Sequence, residues 1–155
     1  YFVQLRPGVG SKLFKLYKFR TMHTNCNHVR LTEQNDSRLT DTGKFLRRYK
    51  LDELPQLWNV LKGDMSLIGP RPVPINYYSQ YLKEIPDYDK RHVLRPGITG
   101  LAQVTLGYTN TIEGERNKHE IDLQYINNVG YMLDLKIIYL TFHAIVSRKR
   151  LEYSR

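Results

Sequence analysis

Two apolar, aromatic-rich stretches open the chain, Tyr1 to Leu5 and Leu13 to Phe19, with Arg6-Pro7-Gly8-Val9-Gly10-Ser11 between them. Short runs of this kind around a Pro/Gly turn predict a β-hairpin. Residues 23 to 41 are polar and aperiodic, with His23, Asn25, Asn27, His28, Asn35 and Asp36, and predict a surface excursion without regular structure. Helical spacing begins at Asp41-Thr42, read as the cap of a helix reaching about Tyr49. Phe45, Leu46 and Tyr49 share one face of it, and Lys44, Arg47, Arg48 and Lys50 supply charge. Leu54, Leu57, Trp58 and Leu61 form the next stripe, predicting a helix from near Asp52 to Lys62. Pro55 fits only near its start, where a missing N–H costs nothing.

From Gly63 to Pro74 glycine and proline are too dense for a helix or a central strand, so the segment reads as an ordered loop. A helix from about Ile75 to Lys83, a short one after Pro86, and a second constrained segment, Arg95 to Gly100, come next. Helices from Gly114 to about Asn127 and from Leu133 to about Lys149 close the chain. The last carries Leu135, Ile137, Ile138, Leu140, Phe142, Ile145 and Val146 and ends in Arg148-Lys149-Arg150. It reads as a core helix with cations at the negative end of its dipole, in preference to an interfacial membrane helix. The expected fold is α/β, mainly helical and of α+β type: a hairpin, several short helices, and two rigid loops converging on the start of the Asp52 helix.

Charge narrows the partners. With 24 Lys+Arg against 15 Asp+Glu in 155 residues, the formal charge is +9, which favours polyanions: nucleic acid, anionic lipid headgroups or phosphorylated small molecules. The length suits one domain, residues 1–155. A single cysteine, Cys26, excludes an internal disulfide and any cysteine-rich zinc site, in keeping with a reducing compartment. No run of about 18 uncharged apolar residues and no signal peptide is present. Tyr1 reads as part of a strand already in progress, so the chain is expected to be a fragment.

Three features carry chemistry. Asp52 and Glu53 are adjacent acids at a predicted helix start, where they could simply cap the helix and complement its dipole. Alternatively, helix N–H groups would hold a carboxylate ionised as a nucleophile, and two acids could share a Mg²⁺ ion with substrate phosphates. Strand alternation places Lys18 and Arg20 on one face, either as edge-strand cations or as phosphate contacts. Arg71 stands between Pro70 and Pro72, where its backbone is fixed and its fork suits a phosphate. Arg95 opens the second rigid segment. An acidic pair with several backbone-fixed cations describes a site for making or breaking a phosphate ester. A basic nucleic-acid-binding module and a silent scaffold docking on anionic membrane are the competing classes; the 12 tyrosines are scattered, and no nucleic-acid motif appears.

Lys18-Phe19-Arg20-Thr21-Met22, the run from Leu51-Asp52-Glu53-Leu54-Pro55 through Gly69-Pro70-Arg71-Pro72, and Arg95-Pro96-Gly97-Ile98-Thr99-Gly100-Leu101-Ala102-Gln103-Val104 resemble, in order, the bacterial sugar transferases, monotopic polyprenyl-phosphate hexose-1-phosphate transferases. The resemblance implies a ping-pong reaction at the cytoplasmic face of the bacterial inner membrane. Asp52 would attack the sugar-bearing phosphate of a UDP-sugar, release UMP, and pass the phosphosugar to undecaprenyl phosphate. Glu53 would assist at the Mg²⁺ and phosphate site. Lys18, Arg47 and Arg71 match cationic positions that hold phosphates, and Asp122 matches another functional acid of the family. Such enzymes begin with a re-entrant membrane helix, which this chain would lack. They often carry Trp before Ala-Gln-Val and Asn-Gly-Arg after it; Leu101 and Thr105-Leu106-Gly107 stand there instead, and the sugar is left unnamed.

Overall fold

The computed structural model describes residues 1–24, 36–107 and 111–147. Cys26, most of the polar excursion, and the Arg148-Lys149-Arg150 end lie outside them.

The hairpin is present. β1 (Phe2–Pro7) pairs antiparallel with β2 (Leu13–Lys18), from Phe2 opposite Lys18 to Pro7 opposite Leu13, and the turn holds a short 3₁₀ segment, Val9–Ser11. Side chains alternate across a strand, and here β1 turns Val3 and Leu5 outward. Val3 and Leu5 are 47% and 45% exposed, whereas Gln4, Arg6 and, on β2, Lys18 face the body of the protein.

α1 (Asp41–Arg48) starts one residue earlier than expected. Thr40 is its cap, its Oγ1 accepting from the Gly43 N–H at 2.9 Å. Gly43 lets the helix lie against Thr21 just after β2, since a Cβ there would come within 2.0 Å of the Thr21 carbonyl oxygen. The single helix expected from Asp52 to Lys62 is instead a 3₁₀ turn, Leu51–Glu53, followed by α2 (Gln56–Leu61) with Pro55 at its cap. Pro55 has no N–H to continue the helical ladder, which interrupts it there. Lys50, in the left-handed region at φ 58°, reverses the chain from α1 into the 3₁₀ turn.

Both glycine- and proline-rich segments contain short strands that the sequence reading missed. β3 (Ser66–Ile68) and β4 (Gly97–Thr99) pair in parallel, Ser66 with Gly97 and Ile68 with Thr99. The glycines that argued against strands permit this pairing, because a Cβ on Gly97 would stand 2.1 Å from the Gly69 nitrogen. α3 (Ile75–Glu84) packs Tyr78 and Tyr81 with Val73, Ile85 and Tyr88 into a tyrosine-rich core, Tyr88 opening a 3₁₀ segment that runs to Val93. α4 (Leu101–Leu106), also unforeseen, leads to α5 (Ile112–Asn127), which Thr111 caps.

α6 (Tyr131–Val146) corrects the core-helix expectation. Ile137 is its one buried residue, while Met132, Tyr139, Phe142 and Val146 are all more than half exposed. The helix touches the body along one narrow line, where Thr141 bonds Thr99 of β4 at 2.7 Å. No helix among the described residues is long and apolar enough to cross a membrane.

Candidate active site

Four predicted residues meet where β2, the 3₁₀ turn and the Pro70–Pro72 segment converge. Glu53 is the hub. Its Oε1 accepts from Lys18 Nζ at 2.9 Å and from Arg71 Nη2 at 2.5 Å, and its Oε2 accepts from Arg71 Nη1 at 3.2 Å. The Arg71 contact is therefore two-pronged, the geometry a guanidinium fork prefers on a carboxylate. β2 delivers Lys18 because the strand runs directly past the turn: the Phe19 N–H donates to the Asp52 carbonyl at 2.9 Å. The side chains of Lys18 and Arg71 are 17% and 26% exposed, so solvent reaches the cationic side of the cluster while Glu53 lies below it.

Asp52 is beside this clamp, 6% exposed, and its buried Oδ1 has no hydrogen-bond partner among the described residues. A buried carboxylate oxygen without a donor is costly. It also keeps its lone pairs available, as a nucleophile requires. Helix N–H groups do not supply the positive field expected from the sequence, since both acids belong to the 3₁₀ turn that precedes α2. Lys18 and Arg71 bring positive charge to Glu53 instead.

The electrostatics follow from this crowding. Burial alone would push the Glu53 carboxyl up, but Arg71 and Lys18 overcome it and hold the group well below the usual carboxylate range. Burial draws the Lys18 ammonium down against the pull of Glu53. Arg6, which the sequence reading left in the hairpin turn, belongs to the same neighbourhood: burial and the nearby Arg71 lower its guanidinium to about 9.

Arg20, Arg95 and Asp122 lie apart from this cluster. Arg20 follows the end of β2, is exposed, and donates to the Tyr1 carbonyl at 3.4 Å. Arg47, on α1, donates from Nε to Thr21 Oγ1 at 2.9 Å. Arg95 is exposed and lines a separate groove of about 400 Å³ with Met65, Ile68, Asp134 and Leu135, between β3 and α6. Asp122 is only 2% exposed on α5 and meets Arg91 Nη2 at 2.5 Å, so it takes part in a buried ion pair and does not reach the Glu53 cluster. Burial pushes its carboxyl up to about 6 in spite of that partner.

Arg91 and Glu115, which carried no sequence motif, complete this second cluster: Arg91 Nη1 reaches Glu115 Oε1 at 2.7 Å, and both side chains are buried. Beside the acid pair, an apolar groove of about 630 Å³ is lined by Tyr1, Val3, Tyr17, Phe19, Leu54 and Trp58.

Residues 1–148 match the family model described as bacterial sugar transferase. The chain is 45% identical over 148 residues to the UDP-N-acetylgalactosamine-undecaprenyl-phosphate N-acetylgalactosaminephosphotransferase of Aeromonas hydrophila, covering 94% of this chain and 35% of that protein. It is 47% identical over 144 residues to the UDP-glucose:undecaprenyl-phosphate glucose-1-phosphate transferase of Klebsiella pneumoniae, covering 90% and 31%. An uncharacterized sugar transferase of Bacillus subtilis (strain 168), EpsL, is 44% identical over 146 residues, with 94% and 69% covered. The chain thus spans about a third of the length of the first two relatives.

Proposed function

Since the chain belongs to the bacterial sugar transferase family, we propose that it carries the catalytic part of a phosphoglycosyl transferase. Such an enzyme moves a sugar-1-phosphate from a UDP-sugar to undecaprenyl phosphate at the cytoplasmic face of the inner membrane, beginning a lipid-linked glycan. The observation that carries this reading is the buried, unbonded Oδ1 of Asp52 beside a Glu53 that two cations clamp.

A carboxylate oxygen of Asp52 attacks the phosphorus that bears the sugar. The bond from that phosphorus to the bridging oxygen breaks, UMP leaves with that oxygen, and an acyl phosphate of Asp52 that carries the sugar remains. An oxygen of the acceptor phosphate then attacks the same phosphorus, forming the diphosphate link and returning Asp52 as a carboxylate. Lys18 and Arg71 face the charge that develops on the equatorial oxygens, and Glu53 fixes both cations in place before substrate arrives, so little reorganisation accompanies the reaction. When bound, Mg²⁺ neutralises diphosphate charge. Asp52 suits it better than Glu53, whose oxygens are both engaged by Lys18 and Arg71, and the described residues include no cluster of three acidic, His or Cys ligands. Substrate oxygens and water would complete the coordination.

Intact-protein mass spectrometry tests the reading. The full-length enzyme is incubated with Mg²⁺ and a panel of UDP-sugars without acceptor. A gain of one sugar phosphate, absent in Asp52→Asn, is the expected result; an equal gain in Asp52→Asn removes this residue from the chemistry.

A further inference from the structure

The second charged cluster is coupled to the first through one peptide. Pro70 and Pro72 have no N–H, so the Pro70-Arg71-Pro72 turn must be held largely by its carbonyl oxygens. All three are used. The Pro70 carbonyl accepts from the Gly97 N–H at 3.0 Å, the Arg71 carbonyl accepts from Arg91 Nη2 at 3.1 Å, and the Pro72 carbonyl accepts from Arg6 Nη1.

Arg91 is built to hold its share of that turn. A guanidinium is planar and presents its donors in fixed directions, and this one is oriented by two acids on α5. Glu115 takes Nη1 at 2.7 Å and Asp122 takes Nη2 at 2.5 Å, with the Tyr88 hydroxyl also on Nη1 and the Tyr88 ring 4.8 Å below. The arm directed at Arg71 is therefore anchored to α5, a helix of 16 residues. The Arg71 side chain leaves the same residue and grips Glu53.

We propose that Arg91, aimed by Asp122 and Glu115, is a positioning residue for the phosphoryl-transfer site: it sets the Arg71 backbone so that the Arg71 fork engages Glu53 beside Asp52. This rests on the reaction proposed above. It also assigns Asp122 a role at one remove from the chemistry. Asp122 aims the donor that holds the residue that meets the phosphate.

The test separates positioning from general support of the fold. Arg91→Lys keeps the buried positive charge but, as a single point donor, cannot satisfy Glu115, Asp122 and the Arg71 carbonyl together. Nitrogen-detected NMR of the Arg71 guanidinium, assigned by its loss in Arg71→Ala, reads the effect without any turnover. The proposal expects this signal to move and broaden in Arg91→Lys while the Trp58 indole signal stays in place; an unchanged Arg71 signal overturns it.

Single-turnover adduct formation supplies the second readout. Arg91→Lys should slow the step about 30-fold in the wild-type background and by less than about threefold in Arg71→Ala, because residues acting through one another are non-additive. Equal factors in both backgrounds would mean that Arg91 only supports the fold. Should Arg91→Lys fail to fold, Asp122→Asn, which leaves the guanidinium in place but removes the charge aiming Nη2, is judged by the same two criteria. If wild type forms no adduct, the reaction reading fails, while the NMR comparison still decides whether Arg91 positions Arg71.

Discussion

Arg91 and Glu53 are the hubs of two charged clusters with opposite stoichiometry. Around Arg91 one cation meets two carboxylates, Glu115 and Asp122, with Lys118 Nζ 3.8 Å from Glu115, and the Arg91 and Asp122 side chains are each 3% exposed. Around Glu53 one carboxylate meets two cations, and the cations reach solvent. A buried cluster whose charges are matched has nothing left to offer a ligand. A cluster with surplus positive charge on its open side, next to an unbonded acid, can take an anion. The difference separates scaffold from site more clearly than residue type does, since both are built from Arg and carboxylates.

The largest expected effect falls on the open cluster alone. Asp52→Asn should lower phosphosugar-adduct formation by about a thousandfold or more, roughly 4 kcal/mol of barrier, with a thermal midpoint at or slightly above that of wild type; a folded, fully active variant would erase the distinction drawn here. Next comes the closed cluster. Glu115→Ala leaves Arg91 short of one buried partner and should cost about 3 kcal/mol of stability by urea denaturation; a loss below about 1 kcal/mol would show the cluster to be less sealed than its burial indicates.

Glu53→Gln should sit between the two classes. Without its charge the amide can no longer balance Lys18 and Arg71, and adduct formation should fall by about 10² at saturating donor, with stability changing by about 1 kcal/mol. The smallest effect is acid sensitivity within the tyrosine core. His92 bonds Ser11 Oγ at 3.1 Å, and burial lowers its pKa from 6.5 to about 4. Between those values the unfolded chain binds a proton at this site that the folded chain refuses, so the His92 contribution to stability should decline as pH falls from about 6.5 towards 4, by roughly 1 kcal/mol per pH unit or less, against an opposite slope from Asp122, whose carboxyl is raised to about 6. Glu53 adds its own slope only from the ordinary carboxylate range downward, because its folded pKa is held below that range and its stabilising contribution is lost progressively from there towards the lower folded value. Comparing the urea midpoints of wild type and His92→Gln across this window isolates the histidine.

Much of the open cluster was legible in the sequence. Lys18, Asp52, Glu53 and Arg71 each stand in a local pattern, an alternating strand, an adjacent acid pair or a proline-fixed turn, and each pattern restricts where its side chain can go. The closed cluster had no such signal. Arg91 acts on a carbonyl 20 residues away and Arg6 on one 66 residues away, contacts that no periodicity encodes. The hairpin and the helices from α3 onward follow their apolar spacing, apart from the short α4. β3 and β4 were hidden because strand propensity penalises glycine, whereas their pairing depends on it. α6 departs from expectation because apolar composition does not by itself imply a covered face, and only Ile137 of this helix is buried.

The outward-facing side chains of β1 bear on how the hairpin folds. In most half-buried strands apolar burial fixes the alignment, and a slip by one residue is opposed by losing it. Here a slip of β1 would turn Val3 and Leu5 inward and carry Phe2, Gln4 and Arg6 to the surface, a trade that apolar burial on this strand resists only weakly. The correct alignment has to be secured by polar anchors: Arg6 on the Pro72 carbonyl, Lys18 on Glu53, and the Tyr17 N–H on Asn59 Oδ1 at 3.2 Å. Strand registration and assembly of the Glu53 charge cluster then depend on the same contacts. A mispaired hairpin would be caught not by a loose core but by an empty place beside Glu53.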